Sequence, residues 1–267
     1  MKTYAIINEK GGVGKTTITQ NLAYIKASQG KRTLMIDLDS QASLTSNCGI
    51  EPHNVADNNI VNIFYKDYKS SFLDLAVTVD SSGLDNLFIV PTDTTLKYAI
   101  EDLPFQFKTK KESYGVLKKH LKEVEEYFDF CFIDCAPSIN GISYNAFVAA
   151  DEVIIPATPT YPAFRGLNTL SETLNMITRG HEWHGEKFPP LNPDLKVAGL
   201  IISMYQHTTV VDRQITQMYY DMGLYPVLGE IKKESVVEQD VIYHKSTAQR
   251  HPSKMCSTEM YDIAEKL

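Results

Sequence analysis

The residues best suited to chemistry form one run, Lys10-Gly11-Gly12-Val13-Gly14-Lys15-Thr16-Thr17. Glycines let a backbone close around an anion with no Cβ in the way, and the successive N–H groups of such a turn converge on it. In this pattern Lys15 reaches the β- and γ-phosphates of a nucleoside triphosphate, and the Thr16 hydroxyl ligates Mg²⁺. The usual phosphate loop has glycine at the position of Glu9; here Glu9 is followed by Lys10. A second lysine so near the phosphates can neutralise charge in a phosphoryl-transfer transition state, as an arginine finger does elsewhere. Two acidic stretches complete the set. Asp37-Leu38-Asp39-Ser40-Gln41 ends one apolar run, and Asp134-Cys135-Ala136-Pro137-Ser138 ends another. A strand that ends in aspartate puts its carboxylate at the carboxyl end of a parallel sheet, where Mg²⁺ and water are held. Asp134, Asp39 and Thr16 are therefore the candidate metal ligands, and Lys10, Lys15 and Asp39 the candidate catalytic groups.

These side chains need a strand, a turn and a helix start to position them. Tyr4-Ala5-Ile6-Ile7 reads as a short buried strand, and Ile18, Leu22 and Ile25 fall on one helical face. The spacing predicts strands over 3–8, 32–37, 87–91, 130–134, 152–158, 197–204 and 227–231. It predicts helices over 16–28, 114–128, 141–149, 163–177 and 209–221, with Gly30 ending the first. That alternation predicts an α/β fold, a mostly parallel central sheet with helices on both faces. Residues 43–85 carry little period; 56–65 reads as helical with Ile60 and Phe64 on one face. Residues 96–107 read as a helix that Pro104 breaks or kinks, and 179–194 as an irregular surface connection. Met260, Ile263, Ala264 and Leu267 form a short stripe that packs on the core. Cys131 and Cys135 should share a strand face as buried structural residues. His181 and His184 lack an acidic or cysteine partner for a metal.

Length and charge bound the rest. The 267 residues suit a single domain over 1–267, and the formal net charge of −7 excludes a wholesale basic coat but not a local basic patch. The four cysteines contain no CxxC pair, which points to a reducing cytosol. A strand that begins almost at once leaves no room for a signal peptide, and no apolar run is long enough to span a membrane.

The run from Lys10 to Thr17 matches the signature of the ParA/Soj/MinD family of deviant Walker A ATPases, and the chain resembles that family over about residues 1–240. Asp39 and Gln41 match its Asp-x-Asp-Pro-Gln stretch with Ser40 in place of proline; Asp134, Pro137 and Ser138 match its second acidic motif with Ala136 replacing one proline. The resemblance implies Mg²⁺-dependent ATP hydrolysis, with Gly11, Gly12, Val13, Gly14, Lys15, Thr16, Thr17 and Asp134 binding the nucleotide. It implies an ATP-bound homodimer in which Lys10 reaches the partner's phosphates and Asp39 orients the attacking water. For the small ParA/Soj type it further implies DNA partition of a plasmid or chromosome. Sequence-nonspecific binding to double-stranded DNA, a ParB-like centromere-binding partner and a cytoplasmic, nucleoid-associated location belong to that reading, without stable membrane association. The family's adenine loop corresponds to Ile231-Lys232-Lys233-Glu234-Ser235, which lacks the usual proline and asparagine. Its DNA-contacting arginine is replaced by Thr208, so the candidate phosphate contacts are Arg213, Lys232, Lys233, Lys245, Arg250 and Lys254. The alternative is a MinD-like membrane-positioning ATPase, which needs a basic amphipathic C-terminal helix; residues 257–267 carry mixed charge instead. Cofactor-maturation enzymes share the scaffold, but the cysteines do not make a cluster-binding pattern. A non-hydrolysing relative would not keep Lys15, Thr16, Asp39 and Asp134.

Overall fold

A computed structural model describes residues 1–55 and 58–267. The described residues form ten strands: β1 Lys2–Ile6, β2 Thr33–Leu38, β3 Val77–Thr78, β4 Leu87–Val90, β5 Phe130–Cys135, β6 Glu152–Ala157, β7 His181–Trp183, β8 Glu186–Phe188, β9 Lys196–Tyr205 and β10 Val227–Lys232. Eight of them make one sheet in the order β10-β9-β6-β1-β5-β2-β4-β3, parallel throughout except for the antiparallel β3–β4 edge. The expected α/β architecture is therefore present, and β1, which feeds the glycine run, lies near the middle. Parallel neighbours oblige the chain to return along a helix each time, which covers both faces.

Side chains alternate between two apolar layers. Ala5 and Ile7, Leu34 and Ile36, and Cys131, Ile133 and Cys135 face one layer; Tyr4, Ile6, Met35 and Phe132 face the other. The two cysteines share a face, as their four-residue spacing on a strand requires. One layer is closed by the helices Leu96–Gln106, Val116–Val124, Gly141–Ala149, Tyr161–Arg179 and Val210–Met222. The other is closed by Lys15–Ser28, through Ile18, Leu22 and Ile25, and by Met255–Ala264, through Met260 and Ile263. The tail stripe thus packs on the core, and the Tyr4 hydroxyl donates to the carbonyl of Leu267 at 2.8 Å. Gly30, at φ 83°, ends the first helix in the left-handed region, donating its N–H to Ala27 O.

Four local expectations need correction. The helix expected over 114–128 is two pieces, Lys110–Tyr114 and Val116–Val124, which meet at Gly115. Pro104 does not end its helix, which runs to Gln106. A proline there deprives only the Ile100 carbonyl, one turn back, of its donor, and the helix stops two residues later. The connection over 179–194 contains an antiparallel hairpin, β7 with β8. His184 at φ 49° and Gly185 at φ 80° supply the two positive φ values that a two-residue hairpin turn requires. Of the helix expected over 56–65, Ala56 and Asp57 lie outside the described residues, and the remainder is a 3₁₀ helix, Ile60–Phe64, with Ile60 and Phe64 buried.

Candidate nucleotide and Mg²⁺ site

The glycine run leaves β1 and enters the helix Lys15–Ser28 at the carboxyl edge of the sheet. Gly12 and Gly14 have φ of 73° and 86°, so two residues of the turn use the left-handed region that glycine occupies without strain. A Cβ at Gly11 or Gly12 would meet no heavy atom within 4 Å, so the turn opens onto free space. Its far side is fastened to the protein. The Asn8 amide donates to the Pro156 carbonyl on β6 at 2.7 Å, while Asn8 Oδ1 accepts the Lys10 N–H at 2.9 Å. Ser203 Oγ, from β9, donates to the Val13 carbonyl at 2.7 Å. Three strands therefore hold the loop in shape.

Lys15 is buried and folds back over its own turn, donating to the carbonyls of Asn8 at 3.0 Å and Lys10 at 3.3 Å. Burial pulls its ammonium below the usual lysine range, and Asp134 opposes that pull. Lys10 points elsewhere: its Nζ donates to Thr160 Oγ1 at 2.8 Å, at the start of the helix Tyr161–Arg179. Thr160 occupies the N-cap position of that helix without capping it, so its hydroxyl serves the lysine instead.

Asp37 and Asp134 stand opposite each other on the paired strands β2 and β5, both wholly buried. Thr16 Oγ1 donates to Asp134 Oδ2 at 2.7 Å, and Thr19 Oγ1 reaches Oδ1 at 3.4 Å. Burial and the facing Asp37 push the Asp134 carboxyl well up, while the Thr16 bond and Lys15 pull it down. Asp37 is also pushed up by burial, against hydrogen bonds from Thr45. Asp39 lies at the mouth, half-exposed; its Oδ1 accepts the Gln41 N–H at 3.0 Å, and its own N–H donates to Asp37 at 3.1 Å. It is near enough to raise the Asp134 carboxyl and to act on Lys15.

This donor set fits Mg²⁺ arriving with a nucleotide. No group of three or more His, Cys, Asp or Glu side chains able to hold a metal exists among the described residues, which argues against an all-protein cage. Mg²⁺ characteristically takes one or two carboxylates and completes its shell with phosphates and water. Thr16 and Asp134 supply a hydroxyl and an under-neutralised carboxylate in contact, with Asp39 at the rim.

Beside the loop runs a narrow cleft lined by Gly14, Thr17, Ser203, Met204, Lys233 and Val237, among others. The stretch Ile231 to Glu234 forms one wall of it, so the segment matched to the adenine loop does stand against the phosphate loop despite its altered sequence. Among the candidate DNA contacts, Arg250 is committed elsewhere. It pairs with buried Asp240 at 2.6 Å and lies 3.7 Å over the Tyr243 ring. Arg213 donates to the His207 carbonyl at 3.0 Å, and Lys254 faces Glu234 at 4.0 Å. Lys232, Lys233 and Lys245 make no ion pair among the described residues. Tyr161 is exposed, Phe164 packs edge-on against Tyr219 at 5.4 Å, and Arg165 is exposed.

Sequence reading missed Asn8, Thr160 and Ser203, whose contacts span 148, 150 and 190 positions and leave no local signal. Thr19 was within reach, since it lies three residues after Thr16 on one helical face.

A family model described as an AAA domain matches residues 1–184. The chain is 32% identical over 217 residues to the sporulation initiation inhibitor protein Soj of Bacillus subtilis, covering 81% of this chain and 78% of that protein. It is 30% identical over 261 residues to the chromosome partitioning protein ParA of Myxococcus xanthus, covering 98% and 82% respectively. The structure superposes with a TM-score of 0.81 and 24% identity on cobyrinic acid a,c-diamide synthase of Mycobacterium smegmatis with bound ATP analog and magnesium, over 99% of this chain and 93% of that one. At that identity the last likeness speaks for the fold alone. Together with the loop, the two strand-end aspartates and the parallel sheet that presents them, these matches show that the chain belongs to the ParA/Soj/MinD family of deviant Walker A ATPases.

Proposed function

We propose that this protein is a DNA-partition ATPase: Mg-ATP closes two copies face to face, the dimer binds duplex DNA without sequence preference, and hydrolysis, stimulated by a ParB-like partner, releases it. The observation that carries the reading is the division of labour between the two loop lysines. Lys15 is buried across its own turn, whereas Lys10 leaves that turn and is held by one hydroxyl at the surface. A lysine so placed has little to do within its own pocket and is free to serve a second one.

In this reading the backbone N–H groups from Gly11 to Thr16 bind the phosphates of the substrate, and Lys15 holds the β/γ bridge. Thr16 and Asp134, with Asp39 beside them, would hold Mg²⁺, which would supply offsetting positive charge to the phosphates. Asp39, at the mouth and reached by solvent, orients the attacking water. Lys10 of the opposite copy stabilises charge on the transferred group. Lys232, Lys233 and Lys245 are the strongest of the DNA-phosphate candidates, because Arg250 is already engaged with Asp240.

The membrane-positioning alternative receives less support. The helix Met255–Ala264 turns Met260, Ile263 and Ala264 into the core. A gel-shift with plain duplex DNA, run with ADP and with ATP at two salt concentrations, tests the proposal. Binding should need ATP and weaken steeply with salt. Equal binding with both nucleotides would count against the switch, and ATP-dependent sedimentation with liposomes instead of DNA would favour the alternative.

A further inference from the structure

We propose that a second ligand site lies on the sheet face opposite the phosphate-loop helix, built to take a small ring-bearing phosphomonoester of mononucleotide size. A cavity of about 630 Å³ opens between the turn residues 60–68, the segment 107–115 and the helix Val116–Val124. That volume lies within the range of small-molecule pockets, roughly 300–1,000 Å³. Ile63 and Val116, both buried, floor it, and the rings of Tyr65, Tyr68, Phe107 and His120 wall it.

Two of the four rings, His120 and Tyr68, are fixed by ring contacts. His120 stacks on Phe72 at 5.9 Å and meets Tyr68 edge-on at 6.0 Å. Burial lowers the affinity of His120 for a proton, so it contributes a ring face at neutral pH and not a charge. The charge comes from the rim. Lys66, Lys111 and Lys119 line the cavity, exposed, and none of them makes an ion pair among the described residues. Lys66 Nζ lies 5.7 Å from the centre of the Phe107 ring, so its ammonium stands over the wall of the cavity. Glu112 is the single carboxylate among the lining residues, and its Oε2 accepts the Lys108 N–H at 3.1 Å.

The lining holds three ammonium groups and one carboxylate on a chain whose net charge is −7, while Glu123 meets His120 Nδ1 at 3.2 Å and Asp102 accepts from the Tyr65 hydroxyl behind the ring walls. A simple inorganic anion would satisfy the lysines and leave the aromatic walls wet. An apolar molecule would fill the floor and leave the lysines without partners. A ring that stacks on the aromatic walls and carries a phosphate to the rim uses both. The inference does not rest on the proposed partition role, since the cavity contains none of the phosphate-loop residues.

The full chain, with its phosphate loop filled by saturating Mg-ADP, is titrated with an N-methylanthraniloyl mononucleotide and followed by fluorescence. Saturable binding with a Kd of about 10 μM is expected from the efficiency typical of ligands of this size. The Lys66→Glu/Lys119→Glu double variant should weaken it at least tenfold with ADP affinity unchanged, and Lys15→Ala should leave it intact. Phe107→Ala should weaken it separately from the charge. No saturable signal, indifference to the lysine exchange, or displacement by inorganic phosphate as readily as by unlabelled mononucleotide would overturn the proposal. Loss of the fluorescent signal in Lys15→Ala would place the labelled ligand in the phosphate loop and likewise overturn it.

Discussion

The hydrogen bond from Lys10 to Thr160 offers a direct test of whether the loop lysine works across a subunit boundary. Thr160→Val keeps the β-branched shape and removes the hydroxyl. It costs no helix cap, because Thr160 makes none, but it also removes the 3.2 Å contact with Thr158 Oγ1. A surface bond of this kind is worth about 0.5–1 kcal/mol. If Lys10 must leave Thr160 to reach the opposite pocket, each of two protomers gives up one such bond on association. Removing it from the free protein should then favour the dimer by about 1–2 kcal/mol, a tightening of roughly 5- to 30-fold. The measurement is sedimentation velocity with Mg-ATP in an Asp39→Ala background, in which hydrolysis should be held off if Asp39 orients the attacking water as proposed. Thr160→Ser, which keeps the hydroxyl, should behave as the parent, and Lys10→Ala should fail to dimerise whichever residue stands at 160. An unchanged or weaker dimer in Thr160→Val would refute the reasoning, because the contact would then not compete with association.

Three further outcomes follow from the geometry. Lys15→Ala leaves the Asn8 and Lys10 carbonyls without their shared donor and should weaken Mg-nucleotide binding at least about tenfold by calorimetry. Gly199→Ala forces φ of 154° on a Cβ that would overlap the Pro226 carbonyl oxygen and crowd Leu228. It should cost about 2–4 kcal/mol and lower the thermal midpoint by at least about 5 °C; an unshifted midpoint would mean that β9 and β10 part easily. His120 has its pKa lowered from the ordinary 6.5, chiefly by burial, with Lys119 adding to the shift and Glu123 opposing it. Below pH 6.5 the unfolded chain therefore takes up this proton more readily than the folded one, and the stability His120 confers is lost as pH falls. Urea denaturation at pH 7.5 and 5.5 should show a smaller drop for His120→Phe than for the parent; equal drops would refute the assignment.

The parts legible in the sequence are those whose physics is local. Gly12, Gly14, Lys15 and Thr16 could be read because a strand, a turn and a helix start lie within a few residues of one another. Asp134 could be read because a buried strand announces its own end. Residues 43–85 resisted because their described elements are 3₁₀ turns of three to five residues, one five-residue helix and the two-residue strand β3, too short to show a period. The β7–β8 hairpin was hidden because its turn is His184-Gly185, where the residue accepting positive φ is not the usual asparagine or aspartate. Gly115, with an ordinary φ of −94°, divides a charged helix that its pattern alone would run through. The basic tail misled for a different reason. Composition counts Arg250 as free charge, whereas tertiary structure spends it on Asp240, ten residues earlier.

Two adjacent buried aspartates raise the question of which one serves the metal, and their hydrogen bonds separate the roles. A carboxylate offers about four lone-pair positions. Asp37 accepts from the Thr45 N–H and hydroxyl, both at 2.8 Å, and from the Asp39 N–H at 3.1 Å. Those bonds close the turn that carries Asp39 and leave Asp37 little capacity for anything else. Asp134 accepts one short bond, from Thr16, and one long one, from Thr19, so acceptor capacity remains on the side that faces the loop. In the proposed function, Asp37 is therefore the residue that shapes the site and Asp134 the one placed to hold the cation. Asp37→Asn should lower stability by about 1–3 kcal/mol, less whatever the lost buried charge returns, because its amide must face one of the three donors. Its nucleotide affinity should keep the parent's dependence on Mg²⁺. Asp134→Asn should fold normally and lose at least about tenfold in Mg²⁺-dependent affinity while binding metal-free nucleotide as before. The opposite pattern, with Asp37→Asn losing the metal dependence and Asp134→Asn keeping it, would reverse the assignment.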